Sequence, residues 1–127
     1  MAQSCKNRME AIISEAYIKF LREILGRGPK ETKTYIIHDM VIIRLKEVLT
    51  QEEKTLVQIE RGRPLVKEMR RILRESHSEK TEAIISGITG CRVLSSHSDI
   101  STKLGEQVEV FILDCDLEKE LKMKTIV

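Results

Sequence analysis

Twice along this chain an amphipathic stretch stops at a glycine and gives way, a few residues later, to β-branched and alternating apolar residues. "EILGRGPKETKTYIIHDMVIIRL" holds the first change of period and "ISGITGCRVLSSHSDISTKLGEQVEVFIL" the second. Upstream of the first, Met9, Ile13, Ala16, Tyr17, Phe20 and Ile24 recur at intervals of three and four, which places one apolar stripe on a helix over residues 6–25. Gly26 can take the left-handed conformation that closes a helix, and Pro29 prevents the helix from resuming. "KTYIIH" and "MVIIRLKEV" surround the His38-Asp39 step with strand formers, predicting strands 33–38 and 40–48 joined by a tight turn.

"TQEE" has the form of a capping box, in which the Thr50 hydroxyl accepts from the Glu53 amide while the Glu53 carboxylate accepts from the Thr50 amide. A helix over 51–59 follows, broken at "RGRP", where Gly62 acts as a stop and Pro64 occupies a first-turn position that needs no amide proton. The spacing of Leu65, Met69, Ile72, Leu73, Ile84 and Ile88 predicts a second helix over 64–88, although "ESHSEK" interrupts the stripe. Such a helix would be roughly 35 Å long, more than a small sheet can cover, so it is expected to protrude, kink or meet a second subunit. Gly90 repeats the part of Gly26, and strands are expected at 91–97 and 107–113. In the last, Val108, Val110 and Ile112 share one face and Glu109, Phe111 and Leu113 the other. The expected fold is α+β: two helix-plus-hairpin units in the order α-β-β-α-β-β, with a four-stranded, mainly antiparallel sheet covered on one face by helices. The uncovered sheet face, or the surplus helix length, favours a homodimer. The charged segment 114–127 is expected to fray.

With 127 residues the chain falls in the range of one domain, and its 41% hydrophobic and 33% charged residues suit a globular core under a charged surface. Aromatics make up only 3%, which leaves little to stack on a base or a sugar. No run approaches the ~20 apolar residues of a membrane span, and "MAQSCKNRMEAI" lacks the apolar centre of a signal peptide. Cys5, Cys91 and Cys115 are odd in number and too scattered for a metal knuckle, so they are expected to be reduced, unpaired thiols. A cytoplasmic location follows from these features. The net charge of +2 supplies no field to draw the whole molecule onto nucleic acid or anionic lipid.

Three features invite a chemical reading. "SSHSD" sets Ser95, His97 and Asp99 on one face of an extended chain and Ser96 and Ser98 on the other. Same-face neighbours lie ~6.5 Å apart on a strand, too far for a nucleophile and its base, and no glycine-rich elbow accompanies them. A wide turn with side chains bonded to local backbone explains the stretch better, and His97 and Asp99 with the distant His38 and His77 do not complete a metal site. "GRGPK" lacks the GKS or GKT of a phosphate loop, so helix termination accounts for it. On the long helix Arg63, Lys67, Arg70 and Arg74 are spaced by four, three and four, forming a basic stripe opposite Leu65, Met69 and Ile72. An outward stripe of this kind suits an acidic protein partner better than nucleic acid. No cofactor and no metal are expected.

"GRGP" (26–29), "DMVIIRLKEVLTQEEKTL" (39–56), Arg70 and "SSHSDISTKLGEQVEVFIL" (95–113) together resemble the MpsC-type family. The resemblance implies a component of a sodium-translocating, membrane-potential-generating system, encoded near membrane subunits linked to cation or bicarbonate movement. It marks Gly26, Arg27, Gly28, Pro29, Asp39, Arg44, Ser96, His97 and Asp99 as signature positions and assigns none a catalytic role. The family pattern has glycine where this chain has Glu47. Without a span of its own, the chain is expected to act as a peripheral, non-catalytic accessory or regulator of membrane transport subunits. The alternative is a small-molecule or anion-binding enzyme centred on Ser96, His97, Asp99 and Arg44, and a third possibility is nucleic-acid binding.

Overall fold

The computed structural model describes residues 4–124. Helix α1 spans Cys5–Leu25, strands β1 and β2 span Glu31–Ile37 and Met40–Lys46, and helices α2, α3 and α4 span Gln51–Leu56, Gly62–Ser76 and Ser78–Thr89. Strands β3 (Val93–Ser101) and β4 (Glu106–Leu113) precede a last helix, α5 (Leu117–Lys124). The four strands form one antiparallel sheet in the order β1-β2-β4-β3, which joins the two hairpins through β2 and β4. Helices pack on the sheet, so the α+β architecture and the repeated helix-plus-hairpin order stand.

Both glycine stops act as the sequence implies. Gly26 and Gly90 adopt φ of 76° and 75°, and the amide of each donates to a carbonyl four residues back, Arg22 and Ser86. The capping box is present with both of its hydrogen bonds. Gly62 has a different duty from the expected stop: it opens α3, and a Cβ there would lie 1.9 Å from the Leu56 carbonyl oxygen. Only glycine lets the start of α3 approach the end of α2 so closely.

The long helix breaks into α3 and α4 at His77, whose backbone leaves the helical region at φ −109° and ψ 9°. Hydroxyls supply the reason. Ser76 Oγ donates to the Leu73 carbonyl, Ser78 Oγ to that of Arg74 and Thr81 Oγ1 to that of Ser78, competing with the helical ladder in and just after "ESHSEK". The kink lets α4 turn back onto α1 and β3 instead of overhanging the sheet.

Two expectations are corrected. Segment 117–124 is a packed helix, because Asp116 accepts from the Lys119 amide at its start and Leu117 and Leu121, one turn apart, bury in the core. Cys91 and Cys115 form a disulfide, leaving Cys5 as a free thiol. They are 24 residues apart in sequence, but the glycine stop of α4 and the exit of β4 meet at the same end of the sheet. The argument from unpaired thiols to a reducing compartment therefore loses its basis.

Antiparallel register fixes which side chains share a face. The helix-covered face carries the rows Ile36–Val41–Phe111–Ser96, Thr34–Ile43–Glu109–Ser98 and, continuing, Leu45–Gln107–Ile100. The open face carries Ile37–Met40–Ile112–Ser95, then Tyr35–Ile42–Val110–His97, then Lys33–Arg44–Val108–Asp99. The core lies between the first set and Ile13, Tyr17 and Leu21 of α1, Val66 of α3 and Ile85 of α4.

Candidate functional site

The centre of the covered face is charged. Glu109, on β4, is fully buried at 0% exposure among Phe111, Tyr17 and α3. Its Oε1 accepts from the Tyr17 hydroxyl and from Arg74 Nε, and its Oε2 accepts from Gln107 Nε2 at 3.2 Å. Burial, then the Glu109 charge, raises the Tyr17 phenol well above its ordinary value, so it remains a donor. Burial disfavours the Arg74 charge, but Glu109 outweighs it and raises the guanidinium pKa. Arg74 Nη1 donates to Ser78 Oγ at 3.0 Å, and the guanidinium carbon sits 5.7 Å from the Phe111 ring centroid, a cation–π contact.

One turn earlier Arg70, 7% exposed, makes a second lock. Its Nε and Nη2 donate to the two Glu53 oxygens at 2.7 and 2.5 Å, and Nη2 also donates to the Val48 carbonyl. Glu53 thus serves two elements at once, accepting from the Thr50 amide as helix cap and from Arg70 as counterion. Burial alone would push its carboxyl up, but Arg70 and the Thr50 amide hold it below its usual value.

These locks reverse the expected orientation of α3. Arg70 and Arg74 point inward because two buried carboxylates from other elements receive them, while Leu65, Met69 and Ile72 face solvent at 64%, 43% and 53% exposure. Arg63 and Lys67 are exposed, and Lys67 Nζ lies 3.9 Å from Asp99 Oδ1. The four cations do not form one outward stripe.

Between α3 and the edge strand β3 runs a cleft of about 510 Å³, bordered by Lys67, Arg71, Arg74, Ser96, Ser98 and Asp99 among others. Two suspected regions, the cation-rich helix and the serine-rich strand, do meet here. Their polar groups are largely occupied: Ser96 Oγ donates to Glu82 Oε2 at 2.6 Å, Arg71 grips Glu68 and Glu75, and Asp99 Oδ1 accepts from the Ile100 amide. His97 lies on the opposite face of the sheet, where its Nε2 is 3.3 Å from Ser95 Oγ. Their side chains lean together across the strand spacing, while the contacts of Asp99 are with the Ile100 amide and Lys67. Arg44, also on the open face, pairs through two bonds with Glu106. Of the set Ser96, His97, Asp99 and Arg44, the register puts Ser96 on the covered face and the other three on the open face.

Two more signature positions hold the backbone. Arg27 donates to the carbonyls of Leu49 and Glu47, and the Asp39 carbonyl accepts from the Leu113 amide. A donor cluster of Cys91, Cys115 and Glu120 falls within 4.8 Å, but its two sulfurs are bonded to each other. Sequence marks Glu53 as a helix cap and Arg70 and Arg74 as cations, but not their pairing, and it does not mark Glu109 as a partner. A signal for Glu109 existed: the alternation of β4 puts it on the same side as Phe111 and Leu113, which is the buried side.

These features define a class of α+β module in which charged residues fasten the helices to the sheet and apolar groups remain on both outer surfaces. Residues 5–115 match the family described as the Na+-translocating membrane potential-generating system (MpsC), and the chain belongs to that family. It is 40% identical over 117 residues to the uncharacterized protein YbcI of Bacillus subtilis, covering 92% of this chain and 94% of that one. A second B. subtilis protein, the uncharacterized YrhF, is 23% identical over 103 residues, covering 80% and 84%. No solved structure matches the chain. No helix among the described residues is long and apolar enough to cross a membrane.

Proposed function

We propose that the chain is a non-catalytic, peripheral accessory subunit of a cation-translocating system, attached to a membrane subunit through the open face of its sheet. The single observation that carries this reading is the composition of that face. Tyr35 and Ile37 are 40% and 39% exposed, and Met40, Ile42, Val108, Val110 and Ile112 stand beside them only partly covered. A contiguous apolar surface rimmed by charge, here the Arg44–Glu106 pair and Lys33, is the signature of an interaction site. The family description supplies the transport context. Ser96 is engaged by Glu82 and Arg44 by Glu106, which supports a docking role over catalysis at those residues.

The reading is tested by purifying the tagged chain from detergent-solubilised membranes of its own cell. The expected result is co-purification of a multi-span transport subunit, lost in Ile42→Glu/Val110→Glu with the fold retained by circular dichroism. Retention of that subunit by the double variant, or its absence with the wild type, contradicts the reading.

A further inference from the structure

The outward side of α3 is a different surface from the sheet face, and it complements itself. We propose that α3 pairs with α3 of a second copy of this chain, antiparallel, about a two-fold axis passing near Met69.

The helix advances about 100° per residue, so Leu65, Met69 and Ile72 fall within one narrow sector. All three are more than 40% exposed, and the turn before α3 adds exposed Ile59 at 52%. These residues do not belong to the core; the core side of α3 is taken by Val66, Arg70 and Arg74. Along one flank of the ridge run Arg61, Glu68 and Glu75, each seven residues from the next. That is the arrangement of an apolar seam with a charged flanking position at heptad spacing.

Antiparallel pairing centred near Met69 brings Leu65 against Ile72 of the second copy and Met69 against its own counterpart. The same operation sets Arg61 beside Glu75 of the second copy, twice in the dimer. Among the described residues Arg61 has no acidic partner of its own. A parallel pair would instead put Arg61 against Arg61 and Glu75 against Glu75. Glu68 approaches its own copy near the axis, but Arg71 already grips it at 2.6 Å and offsets the repulsion. The helix dipoles also oppose each other in the antiparallel arrangement. Glu75 is also held by Arg71 at 2.8 Å but is exposed and can accept from Arg61 of the second copy as well, so a ridge whose flank is basic at one end and net acidic at the other fits a reversed copy of itself, and this self-complementarity commits the occupant to a second copy. The inference does not depend on the transport role.

Sedimentation equilibrium of the full chain at tens of micromolar is the test. Wild type is expected at twice the 14.6 kDa chain mass, and Leu65→Glu/Met69→Glu at 14.6 kDa with an unchanged far-ultraviolet spectrum. Arg61→Glu should weaken the dimer roughly tenfold, and Arg61→Glu/Glu75→Arg should restore it. A monomeric wild type overturns the proposal. So does a dimer that survives Leu65→Glu/Met69→Glu, or one that dissociates with Ile42→Glu/Val110→Glu instead.

Discussion

Glu47 occupies a conformation that its residue type disfavours: its φ is 54°, in the left-handed region, at the bend that carries the chain from β2 toward α2. An L-residue with a side chain pays roughly 1–2 kcal/mol there. Arg27 holds the bend by donating to the Glu47 and Leu49 carbonyls. Glycine would be unstrained at this bend, and Arg27 of "GRGP" acts as its brace. Glu47→Gly should leave stability unchanged or raise it by up to about 1 kcal/mol, since relief of strain is partly offset by a more flexible unfolded chain. Denaturant unfolding checks this, and a clear loss of stability would show that the bend is held by the glutamate side chain. At this scale sequence shows the special residue types but not their duties. Gly26 was legible because a C-cap is local, whereas Gly62 was not, because its constraint is a carbonyl on a different helix. Tyr17 read as a core aromatic, and its hydroxyl's partner lies 92 residues away.

At the scale of elements, α5 shows how a segment that reads as a charged tail becomes structure. Glu118 accepts from Lys6 Nζ at 2.9 Å and from the His38 amide at 3.0 Å, tying α5 to the start of α1 and to the β1–β2 turn. Lys6 first, and then the His38 amide, lower its carboxyl from 4.5 to about 2. A carboxyl depressed on folding contributes stability that is fully present above about pH 4.5 and is lost as pH falls through about 2. Glu118→Gln should therefore lower Tm at neutral pH, and the gap to wild type should narrow on acidification across that window. A gap that stays constant from neutral to acid pH contradicts the assignment. Helix α3 shows the complementary limit of sequence. Periodicity reveals that it has an apolar side and a cationic side, but not which one turns inward. The outcome is decided by Glu53 and Glu109, which come from α2 and β4 and meet α3 only after folding.

For the whole molecule, the α+β class, the two helix-plus-hairpin units and the antiparallel sheet followed from glycine stops and changes of period, which are local signals. The joining of the hairpins through β2 and β4, the disulfide between Cys91 and Cys115 and the cleft between α3 and β3 are non-local, and nothing in residue spacing encodes them. The suspected site was legible in part. The cation-rich helix and the serine-rich strand do border one cleft, but the inward turn of the arginines converts two of them from surface groups to fasteners. That inversion is what exposes the apolar ridge of α3, so both the fold's integrity and the proposed self-association rest on it. Unfolding of Arg63→Ala, Lys67→Ala, Arg70→Ala and Arg74→Ala in denaturant tests it most directly. The expected pattern is two and two: Arg63→Ala and Lys67→Ala change stability by less than about 1 kcal/mol, whereas Arg70→Ala and Arg74→Ala, each stranding a buried carboxylate, cost about 3–5 kcal/mol. Four small and similar changes would mean that all four cations face solvent, and would contradict the account.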